Sequence, residues 1–250
     1  MPLRPRLDQA AKLADVALTP GALAAARAGK PFSISAFRLV SQVRARVGDV
    51  RLVVDVGANK GQFSRAAATA FPGARIVAFE PLEPVAAEWR TNLADVDRAE
   101  VHVCALGGED GTVTFHPHEY SLSSSVLPLA EGAKAEGGAA AGELAPVEVP
   151  VRRLDDVVAD AVLAPGPVLV KLDVQGYELE VLRGATATLA HADALVVELS
   201  FERQYEGQPL FTEVLDALRD LGFALDVPID VRRDEAGTIS ELDGLFRPAS

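Results

Sequence analysis

The sequence is poor in several features that would otherwise define its class. Its one cysteine, Cys104, excludes internal disulfides, is compatible with a reducing cytosol, and is interpreted as a small buried apolar residue. No apolar run approaches the length needed to cross a bilayer, and residues 1–7 are charged without the apolar stretch of a secretory signal. Lys and Arg number 24 against 36 Asp and Glu, and the net charge of −12 argues against nucleic-acid partners. These absences predict a cytoplasmic protein without a transmembrane segment.

The most informative segment lacks two common phosphate-binding patterns. An apolar run at 52–56 ends in a turn, 57–61, where glycine is expected because a side chain would keep a ligand away from the backbone. The turn reads Gly-Ala-Asn-Lys-Gly, without the middle glycine that admits a pyrophosphate and without the Gly-Lys-Ser/Thr of a Walker loop. A second strand ends in Glu80, placed to bind two ribose hydroxyls. This half of a nucleotide-binding crevice predicts a nucleoside cofactor without phosphates, and S-adenosylmethionine fits that description.

Hydrophobic patterning predicts an α/β chain. Helix-like spacing over 8–47, broken at 19–21, predicts two or three helices, and residues 1–48 are interpreted as a helical extension capping the substrate side. Residues 49–250 form one domain, with strands expected at 52–56, 75–79, 100–105, 167–173, 194–200, 223–227 and near 245–246. Helices are expected from 62, at 84–93, 154–162, 176–184 and 211–221. A hairpin of strands 111–116 and 147–151 encloses a loop, 117–146, whose Gly, Ala and Ser content predicts a flexible lid.

Several segments, in order, resemble one known family. They read DVGANKGQF at 55–63, FEP at 79–81, KLDVQGYE at 171–178, VLRGA at 181–185, VEL at 197–199 and YEGQ at 205–208. Over residues 53–211 the chain resembles the FkbM family of S-adenosylmethionine-dependent methyltransferases. The resemblance implies a Rossmann-like class I methyltransferase fold, with a seven-stranded, mostly parallel sheet and helices on both faces. It also implies O-methylation of a sugar, a glycan or glycolipid, or a glycosylated natural product. Where the family has Asp-x-Glu-Gly, this chain has Gln175, which keeps hydrogen bonds but removes a charge.

The cofactor-binding candidates follow the ends of the first three strands. The predicted set consists of the methionine-end residues Asp55, Gly57, Ala58, Asn59, Gly61 and Phe63, the ribose-end residues Glu80 and Pro81, the adenine-framing residues Ala105 and Leu106, together with Ser124 and Asp173. Ser124 would bind the cofactor carboxylate or a sugar, and its alternative interpretation is a flexible serine linker.

A hydroxyl does not ionise at neutral pH, so a positioned base or a metal must assist its methylation. Asp173 is the main catalytic candidate, with cofactor orientation or helix capping as its alternative. Glu198 is a second candidate in the acceptor pocket, unless Arg203 or Lys171 holds it as a structural partner. His116, at the lip of the long loop, is a further candidate. A divalent metal such as Mg²⁺ needs two or three oxygen ligands, which Asp173 and Glu198 alone do not establish.

Two other function classes stay open at this point. A nicotinamide-dependent oxidoreductase would share the strand–turn–helix arrangement, but the sequence has no Tyr-x-x-x-Lys pair. A non-catalytic nucleoside-binding module would keep Asp55 and Glu80 without an acceptor pocket. The expected partner is a small-molecule or glycan hydroxyl acceptor, and a homo-oligomer is left open.

Overall fold

The computed structural model of the chain describes residues 21–23, 33–133, 142, 144–234 and 236–249. Most of the predicted N-terminal helices and the second half of the predicted lid lie outside these residues. The described helices include α1 (Ile34–Val47), α2 (Gln62–Ala70), α3 (Glu83–Asn92), α4 (Leu154–Leu163), α5 (Glu178–Arg183), α6 (Thr186–Leu189) and α7 (Phe211–Asp220). The strands are β1 (Leu52–Val56), β2 (Arg75–Phe79), β3 (Ala99–His102), β4 (Ala105–Leu106), β5 (Gly111–Phe115), β6 (Val147–Arg152), β7 (Val168–Leu172), β8 (Ala194–Ser200), β9 (Phe223–Arg233) and β10 (Ile239–Pro248).

Seven strands form the main sheet in the order β3-β2-β1-β7-β8-β10-β9. β10 runs antiparallel to both of its neighbours, and the other pairs are parallel. The predicted seven-stranded, mostly parallel sheet is therefore confirmed. The strand order reverses between β1 and β7, and open α/β sheets bind their ligands at such a switch point.

The two faces of the sheet bury separate apolar layers. In β1, Leu52, Val54 and Val56 pack with α4 to α7 on one face, while Val53 packs with α1 to α3 on the other. A parallel strand covered by helices on both sides is apolar at consecutive positions, which is why β1, β7 and β8 appear in the sequence as unbroken apolar runs. The prediction of helices on both faces is confirmed.

A second sheet, in the order β4-β6-β5, was not predicted. The expected third strand, 100–105, is divided: β3 ends at His102 in the main sheet, and β4 pairs with β6 in the small one. Between them, Cys104 is buried, as expected. The predicted hairpin is confirmed, because β5 and β6 pair antiparallel.

Residues 117–133, the described first half of the predicted lid, are named here the cover segment. This segment contains a 3₁₀ turn, Ser121–Ser123, and is fixed by bridges from His116 to Ser125 and from Leu129 to Tyr205. The Ser125 hydroxyl donates to the Gln175 carbonyl at 2.7 Å. These contacts hold the cover segment against the carboxyl ends of β7 and β8. That it opens as a lid stays a prediction.

The described part of the N-terminal extension is α1. The Ser33 side chain caps its first turn by accepting from the Ala36 N–H at 3.3 Å. Phe37, Val40 and Val43 bury its inner face in the layer that contains α2. No described helix is both long and apolar enough to cross a membrane.

Candidate active site

Gly57, the first residue after β1, meets protein backbone rather than open space. Its φ is +77°, and an added Cβ would lie 1.8 Å from the Asp173 carbonyl oxygen. Its N–H and that of Ala58 donate to the Phe79 carbonyl at 3.1 and 3.0 Å. The expected reason for glycine, close approach of a ligand, is therefore corrected: the residue must be glycine because the end of β7 touches the turn.

Gly61, at the other end of the turn, also has an internal reason to be glycine. Its φ is +90°, and an added Cβ would approach Leu93 Cδ2 at 2.7 Å and Trp89 Cδ1 at 2.9 Å. Glycine at this position lets α2 begin against α3. Gly61 lines neither of the cavities described next, and its place in cofactor binding stays a prediction.

Two cavities open at the carboxyl ends of the parallel strands. The first, named the narrow cleft, is lined mainly by Phe79, Glu80, Pro81, Cys104, Ala105, Leu106, Phe115, Ser121, Ser124, Val126 and Tyr177. The second, named the wide cavity, has a volume of about 690 Å³ and is lined mainly by Ser33, Ile34, Ser35, Leu39, Ala58, Phe63, Lys171, Glu198, Asp230, Arg232 and Asp243. They meet at a shared wall of Gly57, Asn59, Leu122, Asp173 and Gln175.

Most of the predicted cofactor residues therefore converge, although they come from distant parts of the sequence. The exceptions are Gly61 and Asp55, which line neither cavity. His116, a catalytic candidate, lines neither cavity either, because its backbone pairs with Ser125 in the bridge that holds the cover segment. Ser124 does line the narrow cleft, and its Oγ accepts from the His118 N–H at 3.0 Å.

Glu80 lies in the narrow cleft at the end of β2 and is 6% exposed. Its Oε2 accepts from the Asn59 N–H at 3.1 Å, and its Oε1 accepts from the Leu82 N–H at 3.0 Å. Burial raises the pKa of Glu80 to about 7, although both backbone hydrogen bonds oppose the rise. Each carboxylate oxygen has a further lone pair, so the group can still accept from two hydroxyls.

Asp55 is fully buried behind the turn. Its Oδ2 accepts from the Ser64 hydroxyl at 2.6 Å, and Ser64 in turn accepts from the Trp89 indole N–H at 3.0 Å. Its Oδ1 lies 3.4 Å from the Lys171 ammonium. This network places Asp55 beside Lys171, and the binding of the cofactor by Asp55 stays a prediction.

Lys171 lines the wide cavity and is the cation that contacts two residues of the shared wall, Gly57 and Asp173. Its Nζ lies 3.2 Å from Asp173 Oδ2 and donates to the Gly57 carbonyl at 3.0 Å. Burial alone would lower the pKa of Lys171, but the charges of Asp173 and Asp55 outweigh burial and raise it. Burial would likewise raise the pKa of Asp173, but Lys171 and a hydrogen bond from Gln175 lower it. Lys171 and Asp173 are therefore a fixed ion pair.

Gln175 joins the two carboxylates that were predicted to be catalytic. Its Nε2 donates to Asp173 Oδ1 at 3.0 Å and to Glu198 Oε2 at 2.6 Å, while its Oε1 accepts from the Tyr205 hydroxyl at 2.9 Å. An ionised glutamate has no proton to donate, so the amide suits this position better than the family residue would. Glu198 also forms an ion pair with Arg232. The sequence suggested Arg203 or Lys171 as its structural partner instead.

Three charged residues of β9 and β10 line the wide cavity and were not predicted: Asp230, Arg232 and Asp243. In the sheet register, Asp243 of β10 stands opposite Glu198 of β8 and opposite Asp230 of β9. The sequence indicated β9 only as far as residue 227, because Pro228 interrupts the pattern. Proline is tolerated there since β9 is an edge strand.

The described residues contain no group of three or more His, Cys, Asp or Glu side chains arranged to hold a metal ion. The narrow cleft instead combines apolar walls with Glu80, which fits an adenosine. Among the described residues lining it there is no Lys or Arg to receive a pyrophosphate. With the strand order and the turn after β1, these features define a class I S-adenosylmethionine-dependent methyltransferase.

Comparison with known proteins agrees and is more specific. The profile of the Methyltransferase FkbM domain matches residues 55–225, so the chain belongs to the FkbM methyltransferase family. The 2-O-methyltransferase NoeI of Sinorhizobium fredii is 30% identical over 196 residues, covering 73% of this chain and 77% of that protein. The 31-O-demethyl-FK506 methyltransferase FkbM of Streptomyces tacrolimicus is 32% identical over 205 residues, covering 73% and 75%. The oxidoreductase alternative is therefore set aside.

Proposed function

We propose that the protein transfers a methyl group to a hydroxyl of a sugar or of a sugar-containing metabolite. The observation that carries the proposal is the meeting of the two cavities at Gly57, Asn59 and Asp173. A nucleoside in the narrow cleft would direct its amino-acid end to this wall, and an acceptor in the wide cavity would approach from the other side. Transfer reactions require such in-line access.

The size and polarity of the wide cavity support a polyhydroxylated acceptor. Its volume of about 690 Å³ is within the range of small-molecule sites. Carboxylates and the serines at 33 and 35 offer hydrogen-bond acceptors, whereas Ile34, Leu39 and Phe63 give apolar surface for the ring face of a sugar. Residues of α1 line this cavity, which also supports the prediction that residues 1–48 form a cap on the substrate side.

The activities in the names of the two relatives support oxygen as the methylated atom. One is described as a 2-O-methyltransferase and the other as acting on 31-O-demethyl-FK506. Neither name fixes the acceptor of this chain.

The residues of the narrow cleft have separable tasks. Glu80 would accept from the ribose hydroxyls, and Leu106 and Phe115 would enclose the base. S-adenosylmethionine, when bound, supplies an electrophilic methyl group on its sulfonium. The cleft holds only about 60 Å³ of free space, so we infer that the cover segment moves outward for loading and returns to exclude water.

The raised pKa of Glu80 predicts a pH dependence of cofactor affinity. Ribose hydroxyls donate to the ionised carboxylate, so binding favours ionisation, releases a proton near neutrality and tightens as pH rises. S-adenosylhomocysteine affinity is expected to rise several-fold, at most roughly tenfold per pKa unit, between about pH 6 and pH 8. Calorimetric titration across this range measures it.

Glu80→Gln is expected to weaken S-adenosylhomocysteine binding and to flatten the profile. Glu178→Gln is the matched control, because burial also raises the pKa of Glu178 to about 7 while this residue lines neither cavity. A flat wild-type profile, or a profile flattened by the Glu178 variant, contradicts the assignment.

The test of the proposed function combines binding and transfer. Wild-type protein is titrated with S-adenosylhomocysteine and then incubated with methyl-labelled S-adenosylmethionine and a panel of methyl glycosides, with matching deoxy sugars and primary amines as controls. Binding plus label on a glycoside that the deoxy analogue does not accept supports O-methylation. Binding without transfer to any hydroxyl favours the non-catalytic module, and label confined to amines contradicts the oxygen assignment.

A further inference from the structure

Asp243 differs from Asp173 and Glu198, the two predicted catalytic carboxylates of the wide cavity, because described residues leave both of its oxygens without a hydrogen bond. Asp173 is held by Lys171 and Gln175, and Glu198 by Gln175 and Arg232. No described residue donates a hydrogen bond to the Asp243 carboxylate or forms an ion pair with it. It is nevertheless half-buried in the sheet and lines the cavity.

We propose that Asp243 is the general base that receives the proton of the acceptor hydroxyl. This inference rests on the proposed function, in which a hydroxyl is methylated in the wide cavity. A base needs a free lone pair facing the reacting group, and Asp243 has it at a position opposite Glu198 in the sheet. The residue lies outside the part of the chain that matches the family profile.

The candidates predicted from sequence suit this task less well. Lys171 keeps the pKa of Asp173 low, and a carboxylate with a low pKa is a weak proton acceptor. Both Glu198 oxygens already accept hydrogen bonds. Asp230, on the edge strand, uses its Oδ1 to accept from the Val231 N–H at 3.0 Å.

The surroundings of Asp243 set its ionisation near the working pH. Burial raises its pKa to about 7, and the charges of Asp173 and Asp230 act in the same direction, while Arg232 and Lys171 oppose them. Glu198, opposite on β8, has its own pKa raised well above the usual range by burial and by Asp173. A base with a pKa near the operating pH combines the correct protonation state with adequate basicity.

The step balances with the groups named. The hydroxyl oxygen bonds to the methyl carbon, the carbon–sulfur bond breaks with its electron pair left on sulfur, and the hydroxyl proton passes to Asp243. One positive sulfonium and one negative carboxylate become a neutral thioether and a neutral carboxylic acid. The proton returns to solvent through the open cavity.

The first test compares Asp243→Asn with the wild type on the methyl glycoside that gives most product in the panel. We expect S-adenosylhomocysteine affinity to stay within about twofold and the transfer rate to fall by about 100-fold or more. The wild-type rate should rise with pH to a plateau with a midpoint near 7, and the variant should lose this limb. The control is Asp216→Asn, at an exposed carboxylate of α7 that lines neither cavity, and it should keep both the rate and the limb.

Two measurements do not depend on turnover. In protein labelled with ¹³C-aspartate, the carboxyl resonance that Asp243→Asn removes should titrate with a midpoint near 7. A carboxyl whose pKa is higher in the folded protein than in the unfolded chain lowers the stability of the fold as the pH rises from the unfolded-state pKa through the folded-state pKa. The variant should therefore unfold at a higher temperature than the wild type near pH 8, and the difference should vanish toward pH 4.

The outcomes separate this inference from the proposed function. Two results would overturn Asp243 as the base while leaving hydroxyl methylation in place. One is an Asp243→Asn variant that keeps roughly a tenth or more of the wild-type rate. The other is an Asp243 carboxyl resonance that titrates near the ordinary pKa of aspartate. A wild type that binds S-adenosylhomocysteine yet methylates no hydroxyl overturns both.

Discussion

Gly57→Ala is expected to lower the free energy of unfolding by about 4 kcal/mol and to abolish S-adenosylhomocysteine binding. Two costs add. A non-glycine residue at φ +77° carries conformational strain, and the new Cβ would stand 1.8 Å from the Asp173 carbonyl oxygen. The ends of β1 and β7 must separate to relieve that contact. Since Gly57 and Asp173 form part of the wall between the cavities, the separation also disrupts the binding site. Urea unfolding and calorimetry measure the two losses.

The matched control is Gly207→Ala. Gly207 has φ +72°, but an added Cβ has nothing within 4 Å, so only the strain applies. Its expected cost is about 1 kcal/mol. If the two alanine variants unfold at the same urea concentration, the close contact between β1 and β7 is not what requires glycine at position 57.

Lys171→Met is expected to produce the second large effect and to lower the free energy of unfolding by about 3–5 kcal/mol near pH 7. The substitution keeps the apolar stem but leaves Asp55 without its cation and Asp173 with one partner fewer. Lys171 lowers the native pKa of Asp173, so this part of the stability is present above the unfolded pKa and is lost as pH falls through the native value. The difference between variant and wild type should therefore narrow on acidification. Urea unfolding at a series of pH values measures it.

Lys60→Met provides the comparison for removing a lysine charge. Lys60 pairs with Glu88 at 3.0 Å, but both side chains are exposed, at 40% and 52%. Because solvent screens such a pair, the free energy of unfolding is expected to change by no more than about 0.5 kcal/mol. If the two lysine variants lose the same free energy of unfolding, the buried ion pairs of Lys171 contribute no more to stability than the exposed pair of Lys60.

The cofactor half of the site could be predicted because its signals are local. β1 and β2 were expected at 52–56 and 75–79, and both have these bounds. Parallel strands buried on both faces are consecutive apolar runs, so their ends, where Glu80 and Asp173 lie, are visible in the sequence. Eight of the predicted cofactor residues line the narrow cleft, and five of them, Gly57, Asn59, Glu80, Pro81 and Asp173, follow such strand ends. The other three are Ala105 and Leu106 of β4 and Ser124 of the cover segment.

The acceptor half depends on pairings that sequence patterns do not encode. Asp243 and Glu198 become neighbours only through the register of two antiparallel strands far apart in the chain. Arg232 lies beyond Pro228, where the strand pattern is interrupted. The contacts of Gly57 with Asp173 and of Asp55 with Lys171 were likewise not visible in the sequence, because these partners lie more than a hundred residues later.

The wide cavity combines residues from the region that the family profile matches with residues from both sides of that region. Residues 33–39 precede the matched region, 55–225, and Asp230, Arg232 and Asp243 follow it. On the proposed function, acceptor preference therefore depends in part on residues that the family profile does not cover. On the proposed function, a chimera that joins these flanks to a relative's central region is expected to take its acceptor, and the proposed base Asp243, from the flanks.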